Sequence, residues 1–188
     1  FDISNIQGFF AVGSMVVFKN AEPVKSEYRK FKIKTVKGAD DYSMMKEVIS
    51  RRYRRIQMEK SSFPDLVLVD GGRGHLRIAQ IALKSLGINN IPVIALAKGQ
   101  EEIYIQHSMF PLQLPRGSKA LFLVQNIRDE AHRFAIRYHK VLRKKGLTYS
   151  KLDEIPGVGP SKKKILLKHF GKENNIEQAS LETITGVP

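Results

Sequence analysis

The chain has 188 residues, no cysteine, and 32 Lys and Arg against 18 Asp and Glu, a formal charge of +14. Without cysteine, disulfide scaffolds, thiolate metal sites and cysteine nucleophiles are excluded. No apolar run approaches the roughly 18 residues of a membrane span, so no membrane association is expected. The start at Phe1, with no signal-peptide pattern, reads as an excised piece of a cytoplasmic protein.

The charge is uneven. Residues 116–150 hold 9 basic and 2 acidic groups, half of the excess, whereas residues 1–115 hold 17 and 11, and residues 151–188 hold 6 and 5. Such a concentrated positive segment predicts a polyanionic partner, of which nucleic acid is the commonest.

In chain order, Phe1–Ile3 begins a strand. Ala11–Phe18 is apolar and rich in β-branched residues, Lys19-Asn20 reads as a hairpin turn, and Pro23–Lys34 carries alternating Tyr28, Phe31 and Ile33. These segments predict a three-stranded antiparallel meander. Asp40 or Asp41 can cap a helix to about Met58, with Met44, Met45, Val48, Ile49 and Tyr53 at helical spacing. Its other face carries Arg51, Arg52, Arg54 and Arg55.

Asp65–Val69 is a short apolar run that predicts a buried parallel strand. Asp70-Gly71-Gly72 turns the chain into a helix from about His75 to Leu86, which Gly87 stops. Ile91–Ala97 is a second buried strand, completing a βαβ crossover. Glu102–Leu114 reads as a ribbon broken by prolines. Ser118–Lys145 has no Pro or Gly, and Ala120, Val124, Ile127, Ala131, Phe134, Tyr138 and Val141 mark an apolar stripe along one long helix. Gly146–Ser150 is a linker to a helical appendage too short for its own core. The predicted organisation is an α/β domain over residues 1–146 and a small α-helical element over residues 147–188.

Four positions can carry chemistry. Asp2 lies inside a strand pattern, where Asp is depleted, although a frayed chain end would also tolerate it. Asp70 closes a parallel strand, the end where open α/β sheets bind ligands, although an ordinary Asp-Gly turn has the same look. Asp41 opens a helix, as a capping residue would. His132 lies about 100° from the apolar stripe of the long helix, beside Arg128, Ile136 and His139. Two carboxylates on separate strands suggest a site for Mg2+ or Mn2+, whose hard ions match oxygen ligands, and hence metal-dependent phosphodiester hydrolysis. Arg128, Arg133, Arg137, Arg143 and Lys144 on the long helix, with the arginines at 51–55, are the candidate DNA contacts. A nucleotide-binding protein built on the Asp70 turn would need a phosphate fingerprint, which Gly71-Gly72-Arg73-Gly74 does not match.

The motifs together resemble the C-terminal half of the UvrC family, the nuclease component of the ABC excinuclease. They are FDIS at Phe1–Ser4, DDY at Asp40–Tyr42, PDLVLVDGG at Pro64–Gly72, ALAKG at Ala95–Gly99, IRDEAHRFAI at Ile127–Ile136 and IPGVGPSKKKILLKHFG at Ile155–Gly171. The resemblance implies a ribonuclease H-like mixed sheet flanked by helices. It implies a catalytic triad of Asp2, Asp70 and His132, with Asp41 as a further acid linked to activity, and the 5′ incision of damaged double-stranded DNA in nucleotide excision repair. His132 would be either a metal ligand or a proton carrier. The implied partners are the UvrA and UvrB excinuclease components, and the implied compartment is the bacterial cytoplasm. The family often has His at the position of Asn5, and Lys-Gly-Gln in place of Arg73-Gly74-His75. The tail resembles a helix-hairpin-helix element whose second hairpin is cut short at Ile184–Pro188. In it Gly157 and Gly159 would expose backbone N–H groups to phosphate, beside Lys162, Lys163 and Lys164. The competing reading is a non-catalytic nucleic-acid-binding module of the same fold, which differs in whether Asp2, Asp70 and His132 converge.

Overall fold

The computed structural model describes residues 1–4, 11–36, 38–99, 101–144, 152, 155–171 and 173–186. They form two compact units, Phe1–Tyr138 and His139–Pro188. In the first, β1 (Asp2–Ser4), β2 (Val12–Met15) and β5 (Arg29–Lys32) make an antiparallel sheet in the order β1-β2-β5. A small hairpin of β3 (Phe18–Lys19) and β4 (Glu22–Pro23) lies between β2 and β5 in sequence. Its turn falls on Asn20-Ala21, one residue later than predicted, with φ of 52° and 63°. Two positive φ values suit the twist of a two-residue hairpin, and Lys19 is thereby left to pair with Glu22.

Helix α1 (Asp41–Met58) precedes β6 (Val67–Asp70), and α2 (Arg73–Lys84) crosses over to β7 (Val93–Ala97), parallel to β6. Strand β8 (Glu102–Ile105) returns antiparallel to β7, and an isolated bridge from Ile103 to Leu112 continues the predicted ribbon. Helix α2 starts two residues earlier than the sequence suggests, because Gly72 already serves as its N-cap. The meander and the crossover join through the Phe1 backbone. Phe1 N donates to the Leu68 carbonyl at 2.7 Å, and Asp70 N donates to the Phe1 carbonyl at 2.9 Å. That is one step of a parallel ladder, and it makes a mixed sheet in the order β5-β2-β1-β6-β7-β8.

Alternation along these strands separates the two faces. Phe1, Met15, Val67 and Val69 point into the main core with Val48, Ile49 and Tyr53 of α1 and Leu76 and Ala79 of α2. Asp2, Ser14 and Asp70 therefore point to the opposite face. Helix α3 (Lys119–Lys144) lies on that side, fixed by the fully buried Ser14, whose Oγ donates to the Ala131 carbonyl at 3.0 Å. Its buried positions are Leu121, Ala131 and Ala135, whereas Ala120 is exposed. Val124, Ile127, Phe134 and Tyr138 of the predicted stripe are half-buried and Ala131 is buried, so the predicted face meets the sheet, widened on one side by Leu121 and Ala135. Among the described residues no helix is long and apolar enough to cross a membrane.

The second unit holds α4 (Pro160–Phe170), α5 (Glu173–Glu177) and α6 (Leu181–Thr185), with Leu152 and Ile176 buried. Gly159 caps α4 and Gly157 takes φ +85°. The predicted linker 146–150 lies outside the described residues.

Close packing of α1 on the meander depends on Gly13. A Cβ there would stand 2.5 Å from Val48 Cγ2 and 3.1 Å from Cγ1. Valine in a helix has little rotamer freedom to yield. Gly13→Ala should destabilise the domain by ~1–3 kcal/mol, seen as a lower urea midpoint at an unchanged m-value.

Candidate active site

Three of the four chemical candidates meet on the α3 side of the sheet. Because Phe1 pairs with the Leu68–Asp70 segment, Asp2 and Asp70 stand on adjacent strands, about 4.8 Å apart in the ladder direction, with side chains on one face. Asp2 is only 3% exposed, and Ser4 Oγ donates to its Oδ2 at 3.2 Å. The Ser14–Ala131 bond brings the next residue of α3, His132, over the strand, where its Nδ1 lies 3.5 Å from Asp2 Oδ2. The imidazole remains 46% exposed, open to a ligand from solvent.

Asp70 Oδ2 lies 3.3 Å from Lys98 Nζ, while its Oδ1 is buried without a hydrogen-bond partner. Burial, and then the charge of Asp70, push the Asp2 carboxyl above its ordinary value, against the pull of the N-terminal ammonium, His132 and Lys98. A buried carboxylate pair with an orphaned oxygen is short of positive charge. Its hard oxygen donors fit Mg2+ or Mn2+. Among the described residues no group of three or more His, Asp and Glu forms a ready-made metal cage. Magnesium often takes only one or two carboxylates and completes its shell with water and substrate phosphate.

Asp41 is not drawn into this cluster. Asp40 is the helix cap, its Oδ1 accepting from Ser43 N at 3.0 Å, and Asp41 sits exposed in the first turn of α1. Among the described residues no hydrogen bond or ion pair ties Asp41 to Asp2, Asp70 or His132. Its neighbour Tyr42 does reach the turn after Asp70, with its ring centroid 4.7 Å from that of His75. Gly71, at φ +126°, lets the His75 ring lie against its backbone, and Gly74 leaves room for the Tyr42 ring. Asn5 lies outside the described residues.

Lys98 is not among the residues that the sequence singles out, yet it follows β7, the parallel neighbour of β6. The strand-end rule that points to Asp70 applies to it equally. Ser14, which sets the position of α3, shows only as a small polar residue in an apolar run.

The basic candidates divide. Arg128 is largely buried and pairs with Glu101 at 2.6 Å and Asp129 at 2.9 Å, which ties α3 to the β7–β8 loop one turn before His132. Arg133 makes two 2.6 Å hydrogen bonds to Glu130. Arg137 is exposed near Lys30, whose Nζ lies 4.6 Å from the Phe134 ring centroid and 4.7 Å from that of Tyr138. The side chains of Arg143 and Lys144 lie outside the described residues. In the second unit Lys162 and Lys164 are exposed, whereas Lys163 is 6% exposed.

A family model described as the UvrC RNase H endonuclease domain matches residues 1–136. The chain belongs to this family. It is 53% identical to the UvrABC system protein C of Dehalococcoides mccartyi (strain CBDB1), over all of this chain and 32% of that protein. It is 50% identical to the protein of that name from Methanosphaera stadtmanae, over 32% of its length, and 47% identical to that from Moorella thermoacetica, over 31%. The chain thus spans about a third of the length of the curated relatives it matches. The mixed sheet with helices on both faces is the ribonuclease H-like fold of the UvrC endonuclease domain.

The raised Asp2 carboxyl has a measurable consequence. Its folded pKa lies above the unfolded value of 3.8, so its contribution to stability is fully present below that pH and is lost as pH rises through the folded value. In chelator-treated protein, Asp2→Asn should raise the melting temperature at pH 7. The gain should vanish below about pH 4, where the wild-type carboxyl is protonated in both states.

Proposed function

We propose that this domain is the nuclease that makes the 5′ incision in the damaged strand during nucleotide excision repair. The observation that carries the reading is the convergence of Asp2, Asp70 and His132 on one face, beside an orphaned carboxylate oxygen and a lysine. Asp2 and Asp70 would hold Mg2+ or Mn2+, which when bound supplies charge neutralisation at the phosphoryl oxygens and a more acidic water. Lys98 offsets the charge of Asp70 and can donate to a phosphate oxygen. His132 turns Nδ1 towards Asp2, which leaves Nε2 for the substrate side as a ligand or as a proton carrier. Within a longer protein the domain would work with the UvrA and UvrB components on double-stranded DNA in the cytoplasm. The UvrABC names of the relatives support that role.

Binding is expected to run from α3 onto β5, where Arg137 and Lys30 share an exposed face with Lys32. The second unit would add Lys162 and Lys164 at the first turn of α4, beside the N–H groups released by Gly157 and Gly159. This is the role a helix-hairpin-helix element would have.

Two measurements test the reading. Asp2→Ala and Asp70→Ala should each abolish 5′ incision of a damaged duplex while leaving circular dichroism and DNA affinity intact; normal incision by either variant would overturn the site. His132→Asp retaining activity where His132→Asn loses it would mark a ligand role. Loss in both, with Mn2+ affinity at Asp2 retained, would mark proton transfer. For binding, Lys30→Glu with Arg137→Glu should reduce the salt slope of DNA affinity by about 2, since each phosphate contact contributes roughly 0.9.

A further inference from the structure

Beyond β8 the ribbon carries two neighbouring large apolar side chains in water, Met109 at 78% and Phe110 at 75% exposed. The segment that holds them is well tied. Arg73 donates from Nη1 to the Ser108 carbonyl at 2.9 Å and from Nη2 to the Met109 carbonyl, and its guanidinium lies over the Tyr104 ring. Ser108 Oγ donates to the Phe110 carbonyl, His107 takes φ +62°, and the Ile103–Leu112 bridge closes the base. A fixed backbone that presents bare hydrocarbon is costly to keep unless something covers it.

The register locates this tip relative to the acidic pair. Asp70 pairs with Leu96, Leu96 with Ile103, and Ile103 with Leu112. Three strand spacings, about 14 Å, thus separate Asp70 from the residue two beyond Phe110. The surrounding charge fits duplex DNA. Residues 103–127 contain no acid, and they include Arg116 and Lys119. Even with Ile105 and Leu112, 37% and 45% exposed on the same ribbon, Met109 and Phe110 fall short of the ~800 Å² that a stable protein partner covers. They match the apolar wedges that partly unstack a base step.

We propose that Met109 and Phe110 form a wedge that inserts into the base stack of the same duplex that meets the site at Asp2 and Asp70. The inference rests on the nuclease reading above, and it adds a mechanical contact that holds the duplex in register with the site.

The test uses this 188-residue chain and duplexes with 2-aminopurine scanned along one strand. Wild-type protein should brighten the probe at one or two adjacent positions. Met109→Ala with Phe110→Ala should abolish the brightening and weaken binding about tenfold, or ~1.4 kcal/mol, leaving the salt slope unchanged because no phosphate contact is lost. Met109→Leu with Phe110→Leu should restore the signal. The wedge is overturned if the alanine variant brightens the probe as wild type does. It is also overturned if that variant binds DNA normally and instead loses self-association in sedimentation, which would make the tip a protein interface. Wild-type protein that shows no DNA binding at all would overturn the nuclease reading, and the wedge with it. Wild-type protein that binds and cuts without brightening any probe would overturn the wedge alone.

Discussion

One pair of backbone hydrogen bonds holds the arrangement together: Phe1 N to the Leu68 carbonyl, and Asp70 N back to the Phe1 carbonyl. Without them the chain would have two separate three-stranded sheets. With them it has one sheet, and Asp2 becomes the lateral neighbour of Asp70. The period of two then decides the rest. Phe1 and Val69 enter the apolar core, so Asp2 and Asp70 must both face α3. A one-residue slip of β1 would turn Asp2 under α1 and α2, away from Asp70, and expose Phe1, which the hydrophobic pattern forbids.

The same geometry makes the site costly in isolation. Two carboxylates share a face, one of them almost fully buried, and the nearest compensation is a solvent-exposed lysine and an imidazole at 3.5 Å. Burial and mutual repulsion oppose ionisation of Asp2. An arrangement that places unfavourable charge on rigid strands, with one oxygen left unsatisfied, is the kind found where a positive ligand completes the structure. Small residues make the approach possible: Ser14 and Ala131 bring α3 onto the sheet, and Gly71 opens the turn after Asp70.

The positive charge divides between paired and exposed side chains. Arg128 and Arg133 are held by Glu101, Asp129 and Glu130, so they brace α3 and its neighbouring loop, and Arg73 ties down the ribbon beyond β8. Arg137, Lys30, Lys162 and Lys164 remain on the surface. The net charge of a segment therefore overstates how many of its cations are available for binding.

The sequence by itself determined the local elements and the chemistry on offer. Apolar periodicity located α1, β6, α2, β7 and α3 to within a few residues. Asp70 stood out as the carboxyl end of a parallel strand, a place that an ordinary Asp-Gly turn also takes, and the resemblance supplied the set of Asp2, Asp70 and His132 on specific motifs. The periodicity found the apolar face of α3 but not its full width, because Leu121 and Ala135 are buried by contacts that the helix pattern does not encode. Only the tertiary structure could decide which candidates meet. Asp40 and Asp41 look alike in sequence, yet Asp40 caps the helix and Asp41 stays exposed to solvent in its first turn. Lys98, Ser14 and the Glu101–Arg128 tie acquire their roles from pairing across strands that lie far apart in the chain. Local sequence sets φ, ψ and facing, whereas the distance between two carboxylates is set by which strands pair and in what register.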